Sequence, residues 1–212
     1  MTLEGGEGSG KTTQALRLCQ LLTAQGYDVL HTREPGGTLV AERLRSILLD
    51  RSDEAIAPET EALLILAARR QHVDHVIRPA LTRGKLVVCD RFSDSTIAYQ
   101  GYARGLDLKQ LRAMNEWATG GLTPDLTLLF DVPIGVGLGR RRGQAGGQNR
   151  LDLETRRFHS NVRTGFQALA KREPRRIKII DAQPSLDSVA TTVETLVLSW
   201  LCTVQSPKRR RR

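Results

Sequence analysis

The chain has 212 residues and a formal net charge of +9, with 40% hydrophobic and 26% charged residues. These proportions describe one globular domain able to bury a full core, and no run of 18 apolar residues offers a membrane span. Aromatic residues make up only 4%, which argues against a stacking platform for long single-stranded nucleic acid. The basic excess suits nucleic acid or a cleft for several phosphates. Much of it is local, in Arg140-Arg141-Arg142 and in Lys208 to Arg212. The last stretch, 205–212, reads as a disordered basic tail, and no specific nucleic-acid partner is expected. Cys19, Cys89 and Cys202 are scattered in apolar surroundings and read as reduced core residues. The first residues run straight into a glycine loop, so no signal or transit peptide is expected, and the cytoplasm is the simplest location.

In chain order, Met1-Thr2-Leu3 is a short apolar segment leading into Gly5-Gly6-Glu7-Gly8-Ser9-Gly10-Lys11-Thr12. That stretch fits G-x-x-x-x-G-K-[ST], a loop that cradles triphosphate. Its glycines let the backbone come close to an anion, and successive amides form a nest around the phosphates. Lys11 reaches toward the β/γ-phosphates, and the Thr12 hydroxyl suits a Mg²⁺ shell. A helix follows to about Gln25, with Gly26 as its stop. Asp28 to Thr32 reads as the second strand, ending in Arg33-Glu34-Pro35-Gly36-Gly37-Thr38. Residues 39–48 read as a helix, and Pro58-Glu59 opens a longer one reaching Ile77. Leu86 to Cys89 has the continuous apolar character of a buried parallel strand and stops at Asp90-Arg91. A helix over 106–118, a fourth strand over 126–132, a glycine-weakened helix over 134–142, a helix over 153–171, a fifth strand over 177–180 and a helix over 186–201 complete the pattern. Gly143 to Asn149, rich in glycine and glutamine, is expected to be mobile.

Alternating strands and helices predict an α/β fold: a five-stranded parallel sheet with helices on both faces, in one domain spanning 1–204. Ligands of such sheets lie beyond the carboxyl ends of the strands. The chemically suggestive residues fall there. Asp90 is placed to help hold Mg²⁺ and Arg91 to meet a phosphate, or the two form a salt bridge at a strand end. Arg33 and Glu34 suit a phosphomonoester clamp, or simply a turn. Arg140, Arg141, Arg142 and Arg150 flank a glycine-rich segment over about 140–153. That suits a lid closing over phosphates, or a solvated basic loop. His72 and His75, three apart with Asp74 between, lack a third spaced ligand and are expected on a helix surface rather than on a metal.

These segments together resemble bacterial thymidylate kinase, a P-loop nucleoside monophosphate kinase family, from end to end. The matching stretches are residues 3–14 (LEGGEGSGKTTQ), 32–38 (TREPGGT), 67–72 (AARRQH), 90–92 (DRF), 95–101 (STIAYQG), 124–126 (PDL) and 180–182 (IDA). The resemblance implies transfer of the ATP γ-phosphate to dTMP with Mg²⁺, in a homodimer. It implies that Lys11, Asp90, Arg91, Arg142 and Arg150 serve catalysis, with Thr12 and Asp90 on the metal. Gly5, Gly6, Glu7, Gly8, Ser9, Gly10, Lys11 and Thr12 would hold ATP. Arg33 and Arg91 would hold the dTMP phosphate, with Glu7 facing the sugar 3′-hydroxyl. Arg69, Thr96 and Gln100 would read the thymine edge, and Tyr99 would press on C2′. The loop has no arginine of its own, so the lid is expected to supply one. Ile65 stands where the family usually has a stacking phenylalanine, and Asn149 where it commonly has aspartate. The family's first strand usually starts several residues earlier, so either this strand is short, which predicts a stability cost, or the true start lies upstream. The competing reading is a P-loop ATPase or nucleotide-dependent switch acting on nucleic acid or a protein partner. A relative that has lost catalysis is disfavoured because the charged set is complete.

Overall fold

The computed structural model describes residues 1–52, 54–143 and 148–205. Five strands, β1 (Thr2–Gly5), β2 (Val29–Arg33), β3 (Leu86–Asp90), β4 (Thr127–Asp131) and β5 (Ile177–Asp181), form one sheet. Its order is β2-β3-β1-β4-β5, and every pairing is parallel. The short β1 lies at the centre, with Leu3 opposite Asp90 on one side and Leu128 on the other. All four of its residues are buried. Thr2 and Leu3 are thus paired on both edges, and Glu4 and Gly5 with β4.

The helices are α1 (Lys11–Ala24), α2 (Leu39–Leu49), α3 (Pro58–His72), α4 (Arg78–Thr82), α5 (Ser93–Thr96), α6 (Leu108–Thr119), α7 (Ile134–Arg142), α8 (Arg156–Arg172) and α9 (Leu186–Gln205). They cover both faces because the central strands bury side chains on both. Leu128 and Phe130 of β4 pack with Leu18 and Leu22 of α1 and Val193 and Val197 of α9. Leu129, pointing the other way, packs with Phe158, Val162 and Phe166 of α8. Each fully buried Leu or Phe contributes ~2 kcal/mol of transfer free energy.

Local chemistry sets the helix starts. Thr38, Asp107 and Thr155 each accept a bond from a first-turn amide of α2, α6 and α8, and Pro58 opens α3. The Thr155 cap places the start of α8 at Arg156, three residues later than the apolar pattern suggests. A 3-10 turn, Leu151–Leu153, precedes it.

Two elements were not legible in the sequence. α3 passes into a π-helical turn at Val73–Ile77, and α5 into another at Ile97–Ala103. The second holds Tyr99 and Gln100 and is packed against α8. There a Cβ on Gly165 would lie 3.0 Å from the Ala98 Cα, so the two backbones are in contact. The cysteine expectation needs correcting: Cys89 is buried, Cys19 partly buried and Cys202 exposed on the last turns of α9. The mobile stretch expected over 143–149 falls partly, and the tail from 206 wholly, outside the described residues.

Candidate active site

Between β1 and α1 the chain forms the phosphate-type loop, and three glycines carry its shape: φ is +142° at Gly5, +67° at Gly8 and +85° at Gly10. At Gly8 space matters as well. A Cβ there would sit 1.9 Å from the Gly137 carbonyl oxygen, and one on Gly137 would sit 2.5 Å from the Glu7 carbonyl oxygen. The loop therefore rests on α7 backbone to backbone. Gly137, which weakens α7 as a helix, is what lets the loop lie there.

Lys11 is buried and donates to the Gly6 carbonyl at 2.7 Å and the Ser9 hydroxyl at 3.2 Å. Burial, and then the repulsion of Arg91, lower its pKa to about 8. Thr12, at the start of α1, donates its hydroxyl to Asp90 Oδ2 at 2.5 Å. Two hard oxygens thus meet at the mouth of the loop, as a Mg²⁺ that keeps most of its shell for waters and phosphates requires. Among the described residues, no group of three or more His, Cys, Asp or Glu side chains is placed to enclose a metal.

Arg91 follows Asp90 with φ +69°, and among the described residues it is the one non-glycine in the left-handed region. Such strain persists where surrounding bonds over-determine it. Buried Glu4 accepts from the Phe92 amide at 2.7 Å and the Ser95 hydroxyl at 2.6 Å, bracing the chain just beyond Arg91. Burial, and then Asp94, raise the Glu4 pKa to about 8. The Arg91 guanidinium donates to Glu7 Oε1 at 2.8 Å and the Gly5 carbonyl at 3.0 Å, and lies over the Tyr99 ring. Tyr99 donates to the same Glu7 oxygen at 2.7 Å. Burial would raise the Glu7 pKa, but Arg91, Lys11 and the Tyr99 hydroxyl outweigh it and hold it at about 2.

On the far side of this cluster, α3 presents Glu61, Ile65, Arg69 and His72 at helical spacing. Arg69 is 1% exposed. It donates to Glu34 at 2.7 Å, Thr96 at 2.7 Å, Asn115 at 2.6 Å and the Phe92 carbonyl at 2.9 Å. The second oxygen of Glu34 lies 3.0 Å from His72 Nδ1, whose Nε2 is 2.7 Å from the Thr32 hydroxyl. This corrects two expectations. Glu34 is a buried anchor rather than a phosphate clamp beside Arg33, because its neighbour points the opposite way and pairs with Glu42 at 3.0 Å. His72 is fully buried rather than a surface residue, while His75 is exposed.

The lid region also departs from the expected arrangement. Arg150 turns toward α2 and α3, donating to the Leu48 carbonyl at 3.0 Å and Glu61 at 2.6 Å. Arg142 is exposed at the end of α7. Neither lines the cavity over the glycine loop, whereas Arg141 does. Arg141 is held by Asp152, with bonds of 3.0 and 3.1 Å. Asn149, where the family commonly has aspartate, accepts from the Leu151 and Asp152 amides and so caps the 3-10 turn.

Two adjoining cavities result. One, of about 540 Å³, is lined by the loop from Glu7 to Thr13 with Arg33, Arg45, Asp90, Arg91 and Arg141. The other, of about 110 Å³, is lined by Ile65, Arg69, Thr96, Tyr99 and Gln100 among others. Glu7, Glu34, Arg45, Arg91 and Asn149 line both. Gly5 and Gly6, at the start of the loop, line instead a small hollow against β4 and α8. The sequence reading missed Arg45, Glu61, Ser95 and Asn115. Arg45 and Asn115 sit in ordinary amphipathic patterns. Glu61 offered a signal, since an acid four residues before Ile65 and eight before Arg69 belongs to the same buried stripe.

Comparison with known proteins agrees with this geometry. The family model described as thymidylate kinase matches residues 3–193. A thymidylate kinase of Thermomicrobium roseum is 50% identical over 212 residues, 100% of this chain and 97% of that one. That of Syntrophotalea carbinolica is 49% identical over 208 residues, covering 96% and 94%. The crystal structure of thymidylate kinase from Ehrlichia chaffeensis superposes with a TM-score of 0.75 at 34% identity, covering 93% of this chain and 96% of that one. A parallel sheet bearing this loop, a second cavity behind it and full-length likeness all agree: the chain belongs to the thymidylate kinase family.

Proposed function

We propose that the chain transfers the γ-phosphate of ATP to dTMP, giving dTDP and ADP. The observation that carries this reading is the shared wall of the two cavities, where Glu7 and Arg91 stand between the glycine loop and a second pocket of about 110 Å³ lined by Ile65, Arg69, Thr96, Tyr99 and Gln100. An oxygen of the dTMP phosphate forms a bond to the γ-phosphorus as the bond to the β-phosphate bridging oxygen breaks. Positioning and charge stabilisation supply most of the catalysis in such a transfer.

Lys11 and the loop amides from Glu7 to Thr12 hold the donor phosphates, with Gly5 and Gly6 at the start of the loop. Thr12 and Asp90 would hold Mg²⁺, which neutralises phosphate charge when bound. Arg91, Arg33 and Arg45 face the acceptor phosphate. Glu7 orients Arg91 and Tyr99 and meets the sugar. Ile65, Arg69, Thr96 and Gln100 form the base pocket, with aliphatic contact from Ile65 in place of an aromatic stack. The segment over 140–153 acts as the lid that excludes water. Within it Arg141 is the arginine best placed to serve the transferred phosphate, while Arg150 anchors the lid's root.

The same reading includes a homodimer. It is supported by exposed Leu39 and Ile47 on α2, Leu63 on α3 and Trp117 on α6, helices that pack side by side. Light scattering tests it. A cytoplasmic location is supported by three free thiols, which suit a reducing compartment. No helix among the described residues is long and apolar enough to cross a membrane.

The deciding experiment supplies purified protein with ATP, Mg²⁺ and a panel of nucleoside monophosphates, and follows ADP release. dTMP is expected to be the preferred acceptor. ATP hydrolysis indifferent to dTMP, or stimulated instead by nucleic acid, would overturn the proposal.

A further inference from the structure

Glu61 is fully buried in α3, yet its carboxylate receives four donated bonds. Oε1 accepts from Gln100 Nε2 at 2.8 Å and Arg104 Nε at 3.2 Å. Oε2 accepts from Arg104 Nη2 at 3.0 Å and Arg150 Nη2 at 2.6 Å. Arg104 is balanced in turn by Glu154, at 2.6 Å. Burial alone would push the Glu61 carboxyl upward, but the bonds from Arg104, Gln100 and Arg150 outweigh it and keep it below the usual range. It is thus an ionised carboxylate, able to accept and unable to donate.

That restriction has a consequence for Gln100, which lines the base cavity and is 1% exposed. The two ends of a glutamine amide have nearly the same shape, so shape does not decide which end faces a ligand. A neighbour that only accepts does decide it, because the NH₂ end must face Glu61. The carbonyl end is then committed to the other side. A carbonyl oxygen can accept from the N3–H of a thymine or uracil ring, but meets the bare N3 lone pair of cytosine unfavourably.

We propose that Glu61 is a specificity-positioning residue: it fixes the polarity of the Gln100 amide and, through Arg150, ties the root of the lid to the same carboxylate. Base discrimination between pyrimidines is therefore set one residue behind the pocket, by a side chain that touches no substrate. Because Gln100 and Arg150 share one anchor, a base that disturbs Gln100 also loosens the seat of the lid.

The inference rests on the dTMP kinase reading, and its test separates the two. Steady-state kinetics with dTMP, dUMP and dCMP are measured for the native chain, Glu61→Gln, Glu61→Asp and Arg150→Met. An amide at position 61 can donate as well as accept, which frees Gln100 to turn over. An aspartate keeps the charge that Arg104 and Arg150 need but is one methylene too short to hold Gln100.

The expected result is a tenfold or greater fall in the ratio of kcat/KM for dTMP over dCMP in both position-61 variants, driven by KM for dTMP. In Arg150→Met, kcat falls while that ratio is kept, since Gln100 retains its partner. A folded Glu61→Gln or Glu61→Asp with native KM and ratio would overturn the inference and leave the kinase reading standing. Failure of the native chain to use dTMP would overturn the reading itself. Should Glu61→Gln fail to fold, Glu61→Asp decides alone.

Discussion

The Arg91 guanidinium and the Glu7 carboxylate meet at 2.8 Å across 84 positions of sequence, joining the loop after β1 to the turn after β3. The Arg91 charge offsets the burial of Glu7. Arg91 holds a left-handed backbone, and Glu7 stays ionised in a site that would otherwise favour its neutral form. The pair makes the partition between the two cavities, so its charge state and its geometry both have measurable consequences.

Glu7 should dominate part of the acid sensitivity of the fold. Its pKa falls from 4.5 to about 2 on folding, so the folded state binds fewer protons than the unfolded state in that window. The stabilisation is complete above about pH 4.5 and is lost as pH falls toward 2. Glu7→Gln is expected to flatten the fall in unfolding free energy over this range, by on the order of 3 kcal/mol. Urea unfolding at a series of pH values checks it, and an unchanged slope would contradict the pairing.

Glu34 is the anchor for two buried cationic or polar groups, with Arg69 and His72 on its two oxygens. Removing it leaves Arg69 buried at 1% exposure without its ionic partner. Glu34→Ala is therefore expected to cost about 3–5 kcal/mol, seen as a large drop in Tm. A variant as stable as the native chain would show that Thr96, Asn115 and the Phe92 carbonyl satisfy Arg69 by themselves.

Glycines of α7 should separate by position rather than by helix propensity. At Gly137 an added Cβ meets the Glu7 carbonyl at 2.5 Å, whereas at Gly139 it meets nothing within 4 Å. Gly139→Ala is expected to stabilise by up to about 1 kcal/mol, the usual gain in a helix. Gly137→Ala is expected to cost about 1–3 kcal/mol through overpacking and to raise KM for ATP by displacing the loop. Thermal melts and kinetics on the two variants side by side provide the comparison. Equal behaviour would mean that the loop does not rest on α7 in solution.

In the proposed transfer Lys11 acts by its charge, so its loss should be visible in rate before it is visible in fold. Lys11→Ala is expected to lower kcat by about 10²–10³-fold, the scale for removing one charge-stabilising donor. Far-ultraviolet circular dichroism should stay native. Appreciable turnover in the folded variant would remove Lys11 from the transfer step.

Much of this protein was legible in local sequence because the physics involved is local. The order of strands and helices follows from side-chain period, and the phosphate loop from three glycines and a lysine at set spacing. Asp90 and Arg91 could be placed at the site because the end of a buried parallel strand is where such sheets bind ligands. The resemblance then named a substrate and a set of residues toward it.

Tertiary structure decided which charge meets which. With 32 lysines and arginines and 23 aspartates and glutamates, sequence spacing leaves most pairings open, and a guanidinium several bonds from its backbone can turn either way. Arg150 turned to Glu61 and left Arg141 at the cavity over the glycine loop. Glu34 turned inward to Arg69, while Arg33 paired with Glu42. The π turn that carries Tyr99 and Gln100 is packed against α8, and no side-chain period marks a widened turn. Backbone pattern is a sum of short-range preferences and is written along the chain. The partner of a buried charge is chosen by desolvation and distance among residues far apart in sequence, and only the folded arrangement contains those distances.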